Sequence, residues 1–140
     1  MAAREDMAGG WLQTTKGLVS AEIFSDFIEM AKYLLDEGYK DPSAVIMGSV
    51  LEEHLRQLCH KHKIDTEVVT SKGGRVPKKA DVMNSDLVKA TIYSKLDQKN
   101  VTAWLDLRNK AAHGRYDEYT KEQVSLMLQG IINFLARITV

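Results

Sequence analysis

The sequence predicts an all-α fold, an up-and-down bundle of four to five helices. Three observations predict it. Apolar residues recur at three- and four-residue intervals almost throughout, the signature of amphipathic helices. Only two prolines, Pro42 and Pro77, interrupt the chain. The breaks between most helical stretches are short, which favours antiparallel neighbours. With 140 residues, the chain suits a single domain spanning residues 1–140.

Residues 1–15 are expected to be flexible. Across 18–37, Leu18, Ile23, Phe24, Phe27, Ile28, Ala31, Leu34 and Leu35 line one face of a first helix, and Gly38 is a natural stop. Asp41 and Pro42 read as the N-cap and first helical position of a second helix. That helix runs to about residue 63 with Met47, Leu51, Leu55, Leu58 and Cys59 on its stripe. Gly48 on the same stripe leaves room for another backbone to approach. Residues 64–80, rich in Thr, Ser and Gly, read as a long basic loop that makes at most a small hairpin from Val68-Val69 and Val76. A connection of that length in a small helical domain points to function or mobility. A third, shorter helix is expected over 85–95, with Leu87, Val88 and Ile92 inward. Asp97 reads as the N-cap of a fourth, 98–113, which Gly114 ends. Thr120 and Gln123 form a capping box for a fifth helix carrying Val124, Met127, Leu128, Ile131, Phe134, Leu135 and Ile138. Trp104 is assigned to the core, and Met30, Met47 and Met127 to gap filling.

Composition narrows the function classes. Hydrophobic residues make up 44% and charged residues 27%, a globular mixture too apolar for disorder. A single cysteine, Cys59, excludes an intramolecular disulfide and a multi-thiolate zinc site, and an unpaired thiol fits a reducing compartment. No apolar run approaches the roughly 18 residues of a membrane span, and Met1–Asp6 lacks the apolar stretch of a signal peptide. A cytoplasmic protein with no membrane association is expected. The formal net charge is zero, yet residues 1–55 carry −6 and residues 56–140 carry +6. Either both halves simply solvate themselves, or the second half offers a modest surface to a polyanion.

The fourth helix breaks its own pattern. Its inward stripe reads Val101, Trp104, Leu105, Arg108, Ala111, Ala112, so Arg108 falls where a leucine would be expected. A buried guanidinium is costly unless paired or presented to an anion. One reading is a structural salt bridge within the bundle, to Glu52 or Glu53. The other takes Arg108 together with Asn109 and His113, which stack at i,i+4 on one flank. These groups can hold a phosphate (Arg108), orient it (Asn109) and move a proton near neutral pH (His113).

Arg108-Asn109-Lys110-Ala111-Ala112-His113 resembles the Arg-(polar)-x3-His signature of the HEPN superfamily, with Gly114 and a capped helix following and two long antiparallel helices preceding. The resemblance spans about residues 18–138. It implies a metal-independent endoribonuclease, toxin or defence related, that works as a homodimer with the Arg and His of both chains in one cleft. Arg108 would then stabilise charge on the scissile phosphate, Asn109 would orient it, and His113 would serve as general base or acid, giving 2′,3′-cyclic phosphate ends. It also implies a possible antitoxin or nucleotidyltransferase partner. One toxin subgroup carries tyrosine two residues after the histidine; Arg115 stands there in this chain, and tyrosine follows at Tyr116. The superfamily also includes non-catalytic dimerisation and nucleotide- or RNA-binding modules, which remain the alternative, and a plain helical adaptor is a third reading.

Secondary candidates complete the set. Lys72, Arg75, Lys78 and Lys79 place four cations in eight residues without an acid and, with Lys110 and Arg115, are candidate RNA contacts. Lys72-Gly73-Gly74-Arg75 lacks the spacing of a phosphate loop. His54, Cys59, His60 and His62 crowd the end of the second helix, but a third ligand at sensible spacing is missing. No metal or cofactor is expected; Cys59 reads as core and the histidines as a solvated helix end.

Overall fold

A computed structural model describes residues 22–140; the expectations for 1–21, including a flexible 1–15, lie outside the described residues. The fold is an all-α bundle of five helices with one two-stranded hairpin. Helix α1 is helical over 22–36, α2 is Lys40–Lys61, β1 Glu67–Val69, β2 Arg75–Pro77, α3 Ala80–Lys89, α4 Lys95–Ala112 and α5 Lys121–Arg137. A single 3₁₀ turn, Tyr116–Glu118, links α4 to α5.

Helix α2 is the hub, packing against α3, α4 and α5. Met47, Leu51, Leu55, Leu58 and Cys59 on its stripe are completely buried. They meet Met83 and Leu87 of α3, Val101 and Leu105 of α4, and Val124, Met127, Ile131 and Phe134 of α5 in one apolar core. Phe134 anchors it, with the rings of His54, Tyr93 and Trp104 all edge-on to it at centroid distances of 5.2–6.1 Å. Among its described residues, helix α1 buries only Ala31 and Leu35. Ile23, Phe27 and Met30, expected to face inward or fill gaps, are each more than 40% exposed.

The helix ends follow backbone chemistry that side-chain patterns reveal only in part. Gly38 sits at φ +92°, with its N–H on the Leu35 carbonyl and the Tyr39 N–H on that of Leu34, the paired bonds of a Schellman stop. Gly114 (φ +77°) ends α4 the same way. Two further stops use side-chain-bearing residues, Lys63 (φ +58°) after α2 and Thr91 (φ +59°) after α3. No glycine marks either end, so α2 closes at Lys61 and α3 at Lys89, short of the expected 63 and 95.

The N-termini differ in a similar way. Helix α3 starts at Ala80 rather than 85, and Asn84, outside the expected helix, is one of its core residues. Its amide donates to the Gln98 carbonyl and to Thr102 Oγ1, both at 3.2 Å, and its carbonyl oxygen accepts from the Tyr93 hydroxyl at 2.6 Å. For α4 the cap is Ser94, whose hydroxyl accepts the Asp97 N–H at 3.1 Å. Asp97 is therefore one turn inside, where it pairs with Arg137 at 2.8 Å. Asp41 lies inside the first turn of α2 and accepts a hydrogen bond from the Tyr119 hydroxyl instead of capping the helix. The Thr120–Gln123 capping box forms in full. Within 64–80, β1 and β2 pair antiparallel with Val68 opposite Val76, the small hairpin the valines permit.

Candidate functional site

Arg108 projects from α4 into the seam against α2. Its aliphatic stem lies on Gly48, where any Cβ would overlap Arg108 Cβ and Cγ. Gly48 thus admits a side chain, not the backbone its position on the stripe suggests. Only 17% of the Arg108 side chain is exposed, so its charge needs partners close at hand. Nε donates to Asn109 Oδ1 at 3.1 Å, and Nη1 stands 3.1 Å from Glu52 Oε1 on α2. Glu52 in turn reaches Arg56 through its other oxygen at 3.4 Å. Nη2 has no protein partner among the described residues.

Arg108 forms part of the wall of a cleft of about 480 Å³ between α2, α4 and the first turn of α3. Asn109, Glu52, Lys79, Asp81, Thr102 and Asp106 share that wall. With its Oδ1 engaged by Arg108, the Asn109 amide keeps its two N–H donors for a ligand. The cleft is mixed in charge. Glu52 and Asp106 are engaged by arginine and by Lys110, whereas Lys79 and Asp81 make no ion pair among the described residues.

His113 is exposed at the C-terminal cap of α4. Its ring makes no hydrogen bond or ion pair among the described residues. It does not line the Arg108–Asn109 cleft, since five residues of helix separate it from Arg108 by about 7.5 Å along the axis. One chain therefore presents Arg108 and Asn109 together and His113 apart, at the end of the same helix.

The segment after His113 is tied back to α2. Lys40 Nζ donates to the Tyr116 carbonyl at 2.6 Å and to Asp41 Oδ1 at 2.9 Å, and lies 3.9 Å from the Tyr119 ring centroid. Burial tends to raise the Asp41 carboxyl, but the Tyr119 hydroxyl and Lys40 outweigh it and hold the group below the usual range. The Tyr119 phenol is pushed up by burial and by Asp41. This clamp was missed from sequence because Asp41-Pro42 fits a helix-start pattern so well.

The other candidate cations mostly serve the chain itself. Arg75 bonds Asp65 at 3.1 Å and Glu67 at 3.3 Å, and Lys78 bonds Asp86 at 2.7 Å. Lys110 pairs with Asp106 and Arg115 with Glu118. Lys72 and Lys79 make no ion pair among the described residues, and of the hairpin's four cations Lys79 alone lines the Arg108 cleft. The absence of acids within 72–79 thus hid acids just outside that stretch. Cys59 is fully buried and burial pushes its thiol up. His54, read as part of a solvated helix end, is instead buried, because Nε2 donates to the Ile138 carbonyl at 2.6 Å. Burial lowers its proton affinity, against the pull of that carbonyl. His60 and His62 are exposed.

No protein-family model matches the chain, nor does any curated protein or solved structure.

Proposed function

We propose that the chain is a HEPN-type, metal-independent endoribonuclease that acts as a homodimer through Arg108, Asn109 and His113. The observation that carries the reading is the local commitment of these three side chains. Arg108 and Asn109 are bonded to one another on an open cleft with donors to spare, while His113 stands unengaged at the end of the same helix. In the proposed reaction a ribose 2′-hydroxyl attacks the adjacent phosphorus, forming the P–O2′ bond as the P–O5′ bond breaks. One imidazole accepts the 2′-hydroxyl proton and a second donates to the leaving 5′-oxygen, a division of labour that suits one His113 from each chain of a dimer. Arg108 stabilises the charge that develops on the phosphoryl oxygens, and the Asn109 amide donates to one of them. RNA is required because DNA has no internal nucleophile. A toxin or defence role, with an antitoxin or nucleotidyltransferase as regulator, belongs to the same reading.

The Arg108–Glu52 pair favours a second reading, a plain helical adaptor whose Arg108 is structural, since it satisfies the charge inside its own bundle. The deciding experiment is cleavage of labelled single-stranded RNA in EDTA by wild type, Arg108→Ala and His113→Ala. The ribonuclease reading expects cleavage by wild type alone, with 2′,3′-cyclic phosphate ends. Cleavage retained by folded His113→Ala refutes the mechanism, and RNA binding without cleavage by wild type moves the assignment to a non-catalytic RNA-binding module.

A further inference from the structure

We propose that Glu52 is the positioning residue of this site: it fixes the plane of the Arg108 guanidinium so that Nη2 faces the cleft. The inference rests on the ribonuclease reading and deepens it. Three contacts fix the group. The stem is seated on Gly48, which no other residue type could replace without overlap. Nε is held by Asn109 and Nη1 by Glu52, each at 3.1 Å. The Nε–H and Nη1 lie on different sides of the planar fork, so a partner on each defines both its direction and its rotation. Nη2, which sits between them and has no protein partner among the described residues, belongs to a residue that lines the open cleft.

Glu52 is itself braced. Its second oxygen meets Arg56 one turn along α2, so the carboxylate bridges two arginines and its negative charge is partly neutralised. A carboxylate beside an anion site opposes binding of phosphate, and a Glu52 that only competed would be a liability. A Glu52 that orients Arg108 weakens ground-state binding while placing the donor where charge develops in the transition state, the division of binding energy that accelerates a reaction. The two roles predict opposite changes in turnover, which makes them separable.

The test compares Glu52→Ala and Glu52→Gln with wild type, each checked for folding by thermal melting. Binding is measured with a 2′-O-methyl RNA 12-mer, which has no nucleophile, and turnover with the unmodified RNA of the same sequence. Binding should tighten about threefold in both variants, because a like charge has left the site. The kcat should fall at least tenfold in Glu52→Ala, since small misplacements of a catalytic group carry costs of that order. It should stay within about threefold of wild type in Glu52→Gln, which keeps an oxygen for Nη1. A kcat that rises with affinity would make Glu52 a competitor only and overturn the proposal, as would two unchanged parameters. If wild type cleaves no RNA, the ribonuclease reading has failed on its own. The positioning role is then read from the Arg108 Nη resonances by NMR. Hindered rotation in wild type and Glu52→Gln but free rotation in Glu52→Ala supports it, and identical behaviour in all three proteins overturns it. If Glu52→Ala does not fold, Glu52→Met, which keeps the length of the side chain without its oxygens, takes its place: tighter binding with kcat lowered at least tenfold supports the role, and a raised or unchanged kcat overturns it.

Discussion

Replacing Gly48 by alanine sets two effects of opposite sign against each other. In the middle of an exposed helix the change would stabilise by about 1 kcal/mol, because alanine has the higher helix propensity. Here the new methyl would occupy the space of Arg108 Cβ and Cγ. Those atoms are next to the α4 backbone and cannot swing aside as a side-chain tip would, so α2 and α4 must separate or Arg108 must leave its seat. Overpacking of this kind costs about 1–3 kcal/mol. Losing the largely buried Glu52 pair adds about 1 kcal/mol. The overlap wins, and Gly48→Ala should destabilise by about 1–2 kcal/mol, a drop in Tm of roughly 3–8 °C for a chain of this size. Urea unfolding monitored by circular dichroism measures it, and a double-mutant cycle isolates the cause. In an Arg108→Gly background both overlapping atoms, Cβ and Cγ, are gone, so the same Gly48→Ala change should stabilise by about 1 kcal/mol. An equal cost in both backgrounds would show that Arg108 is not what Gly48 accommodates, and the account of its seat would be wrong.

Two further outcomes follow from backbone and proton chemistry. Thr91 holds φ +59°, a conformation that disfavours a β-branched residue by about 1–2 kcal/mol. After glycine's greater unfolded-state entropy is deducted, Thr91→Gly should raise stability by about 0.5–1 kcal/mol in urea titrations, and a loss would refute the strain. His54 has its proton affinity lowered by burial, so the folded state disfavours its protonation relative to the unfolded chain. Its contribution is fully present above the ordinary imidazole value of about 6.5 and declines as pH falls below it. Wild type should therefore lose more stability between pH 7.5 and 5.5 than His54→Gln, which keeps an N–H for the Ile138 carbonyl; equal losses would remove His54 from the account.

What could be read from the sequence was whatever depends on local periodicity. The five helices, the Gly38 and Gly114 stops and the Thr120–Gln123 box are all encoded within a few neighbouring residues. Misplaced boundaries occurred where a distant partner decided the matter. The first turn of α3 carries no local start signal, and its Asn84 belongs to the core only because Tyr93, Gln98 and Thr102 satisfy it there. Asp41 looks like a cap until Tyr119, 78 residues away, donates to it. At the site, Arg108 stood out as a polar break in an apolar stripe, and Glu52 was one of two acids within reach. Of the other cleft walls, Lys79 stood among the basic candidates, whereas Asp81 and Thr102 had no such sign, because each is an ordinary polar residue within its own helix. The same limit explains the hairpin cations. Counting charges in a window cannot see that Arg75 returns to Asp65 and Lys78 reaches forward to Asp86.

The central position of α2 has a consequence for synthesis. Its apolar face, Met47, Leu51, Leu55 and Leu58, is covered by α3, α4 and α5, all of which leave the ribosome after it. At translation rates of about 5–20 residues per second, roughly 4–15 s pass between completion of α2 and completion of α5. During that interval the most apolar surface of the fold waits for partners not yet made. The Phe134 ring, near the end of the last helix, closes the core only when His54, Tyr93 and Trp104 are already in place around it. A nascent chain stalled before Phe134 would keep that surface open and be a substrate for chaperones or proteases.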